Sequence, residues 1–255
     1  MPYIPIAEAR GFTATRCNTT AIGELASVSG KLRIALVKGG NAMKLKGLIF
    51  DLDGTLLNTL PVCYSGFRKT LLEFAGREYS DQEIAAMFGP SEEGIFKKMF
   101  PSSWRESLKC YLLEYDRIHP EYAEPFTGIV EALTLLQERK LKLALVSGKG
   151  PGSMEISLKH SGLGRFFEIV RTGSEVRASK PKHLLEVLKV WDYSPAEVAY
   201  VGDMAYDVSS AKEVGVCAIG AVWAKTANAQ KVLELNPEAS FDNVQSFIEW
   251  IQQTL

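Results

Sequence analysis

The sequence predicts an α/β fold, in which a doubly wound, Rossmann-like parallel sheet forms a core that carries an inserted α-helical cap domain. Short apolar runs alternate along the chain with segments of helical spacing. Because these runs are continuous rather than alternating, they are typical of parallel strands that are buried on both faces. One long segment after the first run has helical stretches but no convincing strand. Finally, carboxylates follow two of the runs, at the sheet edge where doubly wound folds bind ligands.

The first 42 residues are predicted to be an N-terminal extension outside the core. They have weak periodicity and many small and hydroxyl side chains, and they lack the continuous apolar segment of a secretory signal. The alternatives are a dispensable, disordered extension, a start codon placed too early, or a transit peptide. Met43, followed by KLKGLIFDLDGT, would be a natural beginning for the domain.

Five apolar runs are predicted as core strands. They are GLIFDLD (47–53), KLALVSG (142–148), FFEIV (166–170), EVAYVGD (197–203) and VCAIGAVW (216–223). Between the first two, TGIVEALTLLQERK places Ile129, Leu133 and Leu136 on one helical face. The segment PKHLLEVLKVW begins with Pro181, a residue favoured in the first helical turn. This alternation predicts a parallel sheet that is covered by helices.

Residues 61–125 interrupt the alternation. SGFRKTLLEFAG and SLKCYLLEYDRIH have helical spacing, and FGP and FPSS mark turns. We therefore predict a helical cap over 61–125, above the carboxyl edge of the sheet, and a core made of 43–60 and 126–255.

The composition argues against several classes of protein. The chain is 46% hydrophobic and 23% charged, with a formal net charge of −1, which indicates neither a nucleic-acid-binding nor a membrane protein. No apolar run approaches the roughly 18 residues of a membrane span. Its four cysteines are widely spaced, without a metal-binding pattern, so we expect reduced thiols in a cytoplasmic protein. We expect a monomer or homodimer that acts on a small molecule.

The residues that close the predicted strands carry the candidate chemistry. They are Asp51, Asp53, Gly54 and Thr55 after the first strand, Ser147, Gly148 and Lys149 after the second, Asp203 and Asp207 after a later one, and Lys180 at a helix start. Clustered carboxylates repel one another unless a cation neutralises them. Oxygen ligands without histidine or cysteine favour Mg²⁺. With a lysine, a hydroxyl and helix N-termini nearby, such a site suits a phosphoryl group.

Four ordered motifs resemble those of the haloacid dehalogenase superfamily of phosphohydrolases. They are DLDGTL (51–56), the serine that closes LALVSG, KPKH (180–183) and GDMAYD (202–207). The predicted helical cap resembles that of the phosphoglycolate phosphatase-like branch, and the resemblance spans residues 46 to about 250. It implies an Mg²⁺-dependent phosphatase that hydrolyses a small-molecule phosphate monoester through an aspartyl-phosphate intermediate.

The resemblance also implies a role for each matching residue. Asp51 would be the nucleophile, and Asp53 the general acid and then the general base. Ser147 would bind the phosphoryl oxygens, and Lys180 would offset their charge. The implied metal-site residues are Asp51, Asp53 through its backbone carbonyl, Asp203 and Asp207. The predicted substrate-binding residues are Gly54, Thr55, Gly148 and Lys149 at the sheet edge, and Gly89 and Glu92 in the cap.

Three features of the sequence bear on the choice of substrate. Dehalogenases of the superfamily lack the second aspartate, so Asp53 favours phosphate ester hydrolysis, whereas Asn58 departs from the acidic residue of many relatives. The cap segment MFGPSEEGIFKK (87–98) is expected to contact the leaving group, but its acidic and basic residues favour opposite charges. Two alternatives stay open: a phosphotransferase or phosphomutase, such as a sugar-phosphate mutase, and a non-catalytic binding module.

Overall fold

The structure, a computed structural model, describes residues 44–255, so the predicted N-terminal extension lies outside the described residues. The strands of this range, numbered in chain order, are Gly47–Phe50 (β1), Lys142–Val146 (β2), Ile169–Arg171 (β3), Val198–Gly202 (β4), Cys217–Ala221 (β5) and Ala239–Phe241 (β6). They form one parallel sheet in the order β3-β2-β1-β4-β5-β6. Phe50 pairs with Leu145 on one side and with Val201 on the other, so these three strands end at one edge.

The same range contains ten α-helices. They are Leu60–Ala75 (α1), Asp81–Ala85 (α2), Glu92–Met99 (α3), Trp104–Ile118 (α4), Ile129–Glu138 (α5), Pro151–Ser161 (α6), Lys180–Trp191 (α7), Ala205–Val214 (α8), Ala229–Glu234 (α9) and Val244–Thr254 (α10). Several boundaries follow from local chemistry. Proline occupies the first turn of α1, α6 and α7, where its missing N–H costs no helical hydrogen bond. Gly76, Gly162 and Gly215 end α1, α6 and α8 in the left-handed conformation that glycine adopts readily.

Both faces of the sheet are buried. Leu48 and Phe50 pack in an apolar cluster with α5 and α10, whereas Ile49 packs in a second cluster with α7 and α8. This division follows the two-residue period of a strand. Every residue of β1 is therefore buried, which explains its continuous apolar sequence. The predicted doubly wound α/β fold is confirmed.

Four helices, α1–α4, lie between β1 and α5, and with the 3₁₀ turn His119–Tyr122 they form what we call the helical insert (60–122). Its core is aromatic: the Phe67 and Tyr111 rings lie 4.9 Å apart, and Phe96 and Tyr115 are fully buried beside them. A Cβ at Gly66 would lie 2.8 Å from the Tyr111 ring, so this glycine lets α1 and α4 approach closely. The insert also contacts the sheet domain, where the Ser91 N–H donates to the Ser174 carbonyl at 2.8 Å.

Two elements differ from the sequence prediction. Strand β3 begins at Ile169 rather than at 166, because Leu163–Phe166 forms a 3₁₀ turn. The edge strand β6 was not predicted, since its three residues, ASF, are too short for a recognisable pattern. Among the described residues, no helix is both long and apolar enough to span a bilayer.

Candidate active site

Three aspartates form a buried acidic cluster at the carboxyl edge of the sheet. Asp51 directly follows β1, Asp203 directly follows the neighbouring β4, and Asp207 lies in the first turn of α8. Each is at most 5% exposed, and one carboxylate oxygen from each lies within 4.8 Å of the other two. The parallel register of β1 and β4 therefore brings together residues that are about 150 positions apart.

Lys180, at the start of α7, is the cation of this cluster. Its Nζ donates to Asp51 Oδ2 at 2.6 Å and also to Asp207 Oδ1. Asp207 accepts two further hydrogen bonds at 3.0 Å, from the Tyr200 hydroxyl and from the Met204 N–H. Burial opposes the charge of the Lys180 ammonium, but Asp207 and Asp51 outweigh it and raise the Lys180 pKa well above its ordinary value. The ammonium thus stays charged and balances part of the cluster.

The negative charge of the third carboxylate, Asp203, is offset by fewer partners. It accepts a hydrogen bond from Thr55 Oγ1 at 3.2 Å. Burial, followed by the charges of Asp207 and Asp51, raises the Asp203 pKa to about 8. Three buried carboxylates beside one ammonium leave an excess of negative charge, which a divalent cation would remove. Since all the donors are carboxylate oxygens, the site fits a hard ion such as Mg²⁺.

Gly54 lies in the turn that directly follows Asp53. Its φ of +77° lies in the left-handed region, and a Cβ at this position would lie 2.7 Å from Cγ of Asp203. A side chain at residue 54 would therefore displace a cluster carboxylate.

Asp53 faces a different environment from that of Asp51. Its Oδ1 accepts hydrogen bonds from Thr59 Oγ1, at the N-terminus of α1, and from Lys149 Nζ at 3.3 Å. Its carboxylate is not part of the acidic cluster. The two aspartates are two residues apart in sequence, yet different lysines pair with them.

Ser147, Gly148 and Lys149 follow β2 and lead into α6. Ser147 is buried, and its N–H donates to the Arg171 carbonyl at 3.0 Å, while Gly148 is exposed. Lys149 is 5% exposed. Burial is the largest influence and opposes its charge, but the surrounding groups together, Asp53 first and Glu92 among them, outweigh burial and raise the Lys149 pKa well above its ordinary value. The sheet edge therefore holds two buried ammonium groups.

The structure places the two predicted cap residues differently. Gly89 lies in a half-exposed turn with φ of +147°. Glu92 is 6% exposed and accepts hydrogen bonds from Tyr111 Oη at 3.2 Å, from Ser153 Oγ at 2.6 Å and from the Gly150 N–H. Its oxygens thus bind the start of α6, and its predicted substrate contact stays a prediction.

Sequence reasoning missed several residues that contact the predicted site residues. They are Thr59, Cys63, Tyr115 and Tyr200. Thr59 had one available signal, since it is a hydroxyl residue just before a helix that contains proline in its first turn. The apolar spacing of the other three indicates only core packing, because it carries no information about polar partners.

Comparison with known proteins identifies the family. A sequence profile described as haloacid dehalogenase-like hydrolase matches residues 48–221. The pyrophosphatase PpaX of Bacillus mycoides (strain KBAB4) is 31% identical over 183 residues, which cover 71% of this chain and 85% of that protein. The chain belongs to the haloacid dehalogenase-like hydrolase family. The predicted family and enzyme class, a hydrolase of phosphoric esters, are confirmed.

Solved structures have the same fold. A haloacid dehalogenase-like family hydrolase from Streptococcus pneumoniae superposes with a TM-score of 0.67 at 20% identity, covering 82% of this chain and 99% of that one. A predicted phosphoglycolate phosphatase from Haemophilus somnus 129PT gives a TM-score of 0.66 at 18% identity, covering 84% of this chain and all of that one. At these identities, the similarity establishes the architecture alone.

Proposed function

We propose that this hydrolase is an Mg²⁺-dependent phosphatase that cleaves a small-molecule phosphate monoester through an aspartyl-phosphate intermediate on Asp51. The observation that carries the proposal is the buried cluster of Asp51, Asp203 and Asp207 around Lys180 at the carboxyl edge of the sheet. A carboxylate that will attack a phosphate dianion needs positive charge close by, because the two reactants repel each other. The cluster provides both the nucleophile and the means to neutralise this repulsion.

Asp51 is held for attack by its partners. Its Oδ1 accepts the Leu52 N–H at 2.7 Å, and its Oδ2 accepts from Lys180 at 2.6 Å. These hydrogen bonds fix the carboxylate plane, so one oxygen can attack phosphorus without reorganising the site. Asp53 would then protonate the leaving oxygen and afterwards activate the water that hydrolyses the aspartyl phosphate. Ser147 and Lys180 would hydrogen-bond the phosphoryl oxygens as charge develops on them.

Asp51, Asp203 and Asp207 would hold the Mg²⁺ ion, with the Asp53 backbone carbonyl as a further proposed ligand. The ion would supply electrostatic stabilisation of the phosphoryl group during transfer. The raised pKa of Asp203, about 8, supports this assignment, because burial and then the charges of Asp207 and Asp51 disfavour an ionised carboxylate that a bound cation would stabilise.

The helical insert is proposed to act as the cap, and the cap domain is proposed to span 61–125, between the core segments 43–60 and 126–255. Ser91, just before α3, contacts the loop before α7, and Glu92 in α3 contacts the start of α6. Exclusion of water would protect the phosphoryl transfer. The thiols of Cys63, Cys110 and Cys217 are free, in keeping with the proposed cytoplasmic location.

A direct test is hydrolysis of p-nitrophenyl phosphate by the purified protein. We expect phosphate release with Mg²⁺, loss of release in EDTA, and loss in Asp51→Asn, which keeps the side-chain shape but removes the nucleophile. Asp192→Asn, an exposed position where α7 ends, is the matched control and should retain full activity. Absence of Mg²⁺-dependent release, or full activity in Asp51→Asn, would refute the proposal. A panel that includes pyrophosphate and phosphoglycolate would then identify the substrate.

A further inference from the structure

The ammonium of Lys149 lies in a closed pocket whose walls come from two parts of the chain. Its Nζ is 3.3 Å from Asp53 Oδ1 at the sheet edge. It is 3.4 Å from Cys63 Sγ on α1 and 4.4 Å from the centre of the Tyr115 ring on α4. Only 3% of the Lys149 side chain is exposed. The helical insert therefore forms two walls of a pocket around Lys149, which itself belongs to the sheet domain.

These walls have distinct electrostatic roles. A buried ammonium is costly unless it is paired, and Asp53 provides the carboxylate that pairs with it. The Tyr115 face adds a cation–π contact, which is strongest where water is excluded. Burial raises the pKa of the Cys63 thiol to about 12, so Cys63 is neutral and contributes packing and a weak acceptor. The Tyr115 ring is thus the insert's cation–π contact with the ammonium, and Glu92 on α3 adds a negative charge from the same insert.

The Tyr115 ring is itself fixed in position. Its hydroxyl lies 2.9 Å from Ser157 Oγ on α6, and Ser157 Oγ is also 3.1 Å from His119 Nε2. These groups are buried at the contact between the insert and α6. A displacement of the insert from α6 would therefore remove the ring from the ammonium.

We propose that Lys149 is a positioning residue that holds the Asp53 side chain in place, so that its carboxyl group, when protonated, transfers that proton to the leaving oxygen, and that Tyr115 makes this positioning depend on the docked helical insert. The inference rests on the proposed function, since it assigns Asp53 as the general acid. It differs from the sequence prediction that Lys149 binds substrate directly. A phosphate contact would serve every phosphate ester equally, whereas in the phosphoryl-transfer step, which kcat/KM reports, positioning of Asp53 matters only where the leaving oxygen needs a proton.

The leaving group therefore provides the test. We would measure kcat/KM with Mg²⁺ for p-nitrophenyl phosphate, whose leaving group departs readily as an anion, and for phenyl and alkyl phosphates, whose leaving groups need protonation. In Lys149→Met, kcat/KM for the alkyl ester should fall about 100-fold, within the usual contribution of a general acid, and only a few-fold for the p-nitrophenyl ester. Lys159→Met, at an exposed position on α6, is the matched control and should match the parent.

Two variants of Tyr115 test the dependence on the insert and remain informative if Lys149→Met does not fold. Tyr115→Phe keeps the ring over the ammonium, whereas Tyr115→Leu removes it. We expect Tyr115→Leu to show the same selective loss for poor leaving groups and Tyr115→Phe to stay close to the parent. Thermal unfolding would establish that each variant is folded.

The outcomes separate the two proposals. An equal loss for all esters in Lys149→Met would show a direct phosphate contact and overturn the positioning role. Equal behaviour of Tyr115→Leu and Tyr115→Phe would overturn the dependence on the insert. A parent protein that hydrolyses none of the esters would instead refute the proposed function.

Discussion

Without divalent cations, the stability of this protein should decrease as the pH rises from 6.5 to 8, because of Asp203. This carboxyl is 2% exposed, and burial, followed by the charges of Asp207 and Asp51, raises its pKa to about 8. In the unfolded chain its pKa returns to about 3.9. Between these values the folded protein binds a proton that the unfolded chain does not, so rising pH favours unfolding.

The size of the effect follows from linkage. With a folded-state pKa of about 8, the change from pH 6.5 to 8 lowers the free energy of unfolding by roughly 1–2 kcal/mol. His119 acts in the opposite direction, because burial lowers its pKa to about 4, and an unfolded histidine binds a proton near pH 6.5. This change at His119 offsets less than about 1 kcal/mol of the decrease. The net decrease in the free energy of unfolding should therefore be on the order of 1 kcal/mol.

Urea unfolding in EDTA at the two pH values, followed by tryptophan fluorescence, would measure the effect. Asp203→Asn removes the titrating group and leaves His119 unchanged, so its stability should rise slightly over the same interval. Saturating Mg²⁺ should abolish the decrease in the parent, because a bound cation favours the ionised carboxylate. A parent and an Asp203→Asn variant with the same pH dependence in EDTA would refute the reasoning.

Three substitutions extend the test to other parts of the site. Gly54→Ala would press a Cβ against Asp203 and should reduce Mg²⁺-dependent p-nitrophenyl phosphate hydrolysis at least about tenfold, measured beside the thermal unfolding temperature. Glu92→Ala should lower the free energy of unfolding in urea by about 1–3 kcal/mol, because the buried donors of Gly150 and Ser153 lose their acceptor. Lys180→Met should cost about 3–5 kcal/mol in EDTA, since two buried carboxylates lose their partner, and added Mg²⁺ should recover part of this loss. An unfolding curve of Glu92→Ala or Lys180→Met that matches the parent would contradict these expectations, and so would unchanged hydrolysis by Gly54→Ala.

The predictable part of the fold is the part in which burial determines the residue pattern. Ile49 packs on one face of the sheet while Leu48 and Phe50 pack on the other, so a strand at this position must be apolar throughout and is easily recognised. Within residues 44–255, the edge strand Ala239–Phe241 pairs only with β5, and it is three residues long. Its position depends on the neighbouring strand rather than on its own sequence, and for this reason it was missed.

The candidate site also has a part that the sequence predicts and a part that it does not. Asp51, Ser147 and Asp203 close buried strands, and the parallel topology alone requires such residues to meet at one edge. The Lys149 pocket could not be predicted, because Cys63 and Tyr115 reach it across a contact between helices that are far apart in sequence. Helical periodicity indicates that these two residues are buried, but it does not indicate what they touch.

The two aspartates of DLDGT occupy separate electrostatic environments, and this separation supports separate roles. Asp51 lies among carboxylates and shares Lys180 with Asp207, so its environment changes when a cation binds. Asp53 lies outside that cluster and has Lys149 as its own partner, in a pocket lined by the helical insert. Carboxyl groups with different surroundings can perform different proton chemistry at the same pH. Metal binding should therefore determine the electrostatic environment of the nucleophile Asp51, whereas docking of the insert should determine the position of the proton donor Asp53. Variants of Tyr115 should accordingly leave the Mg²⁺ affinity unchanged.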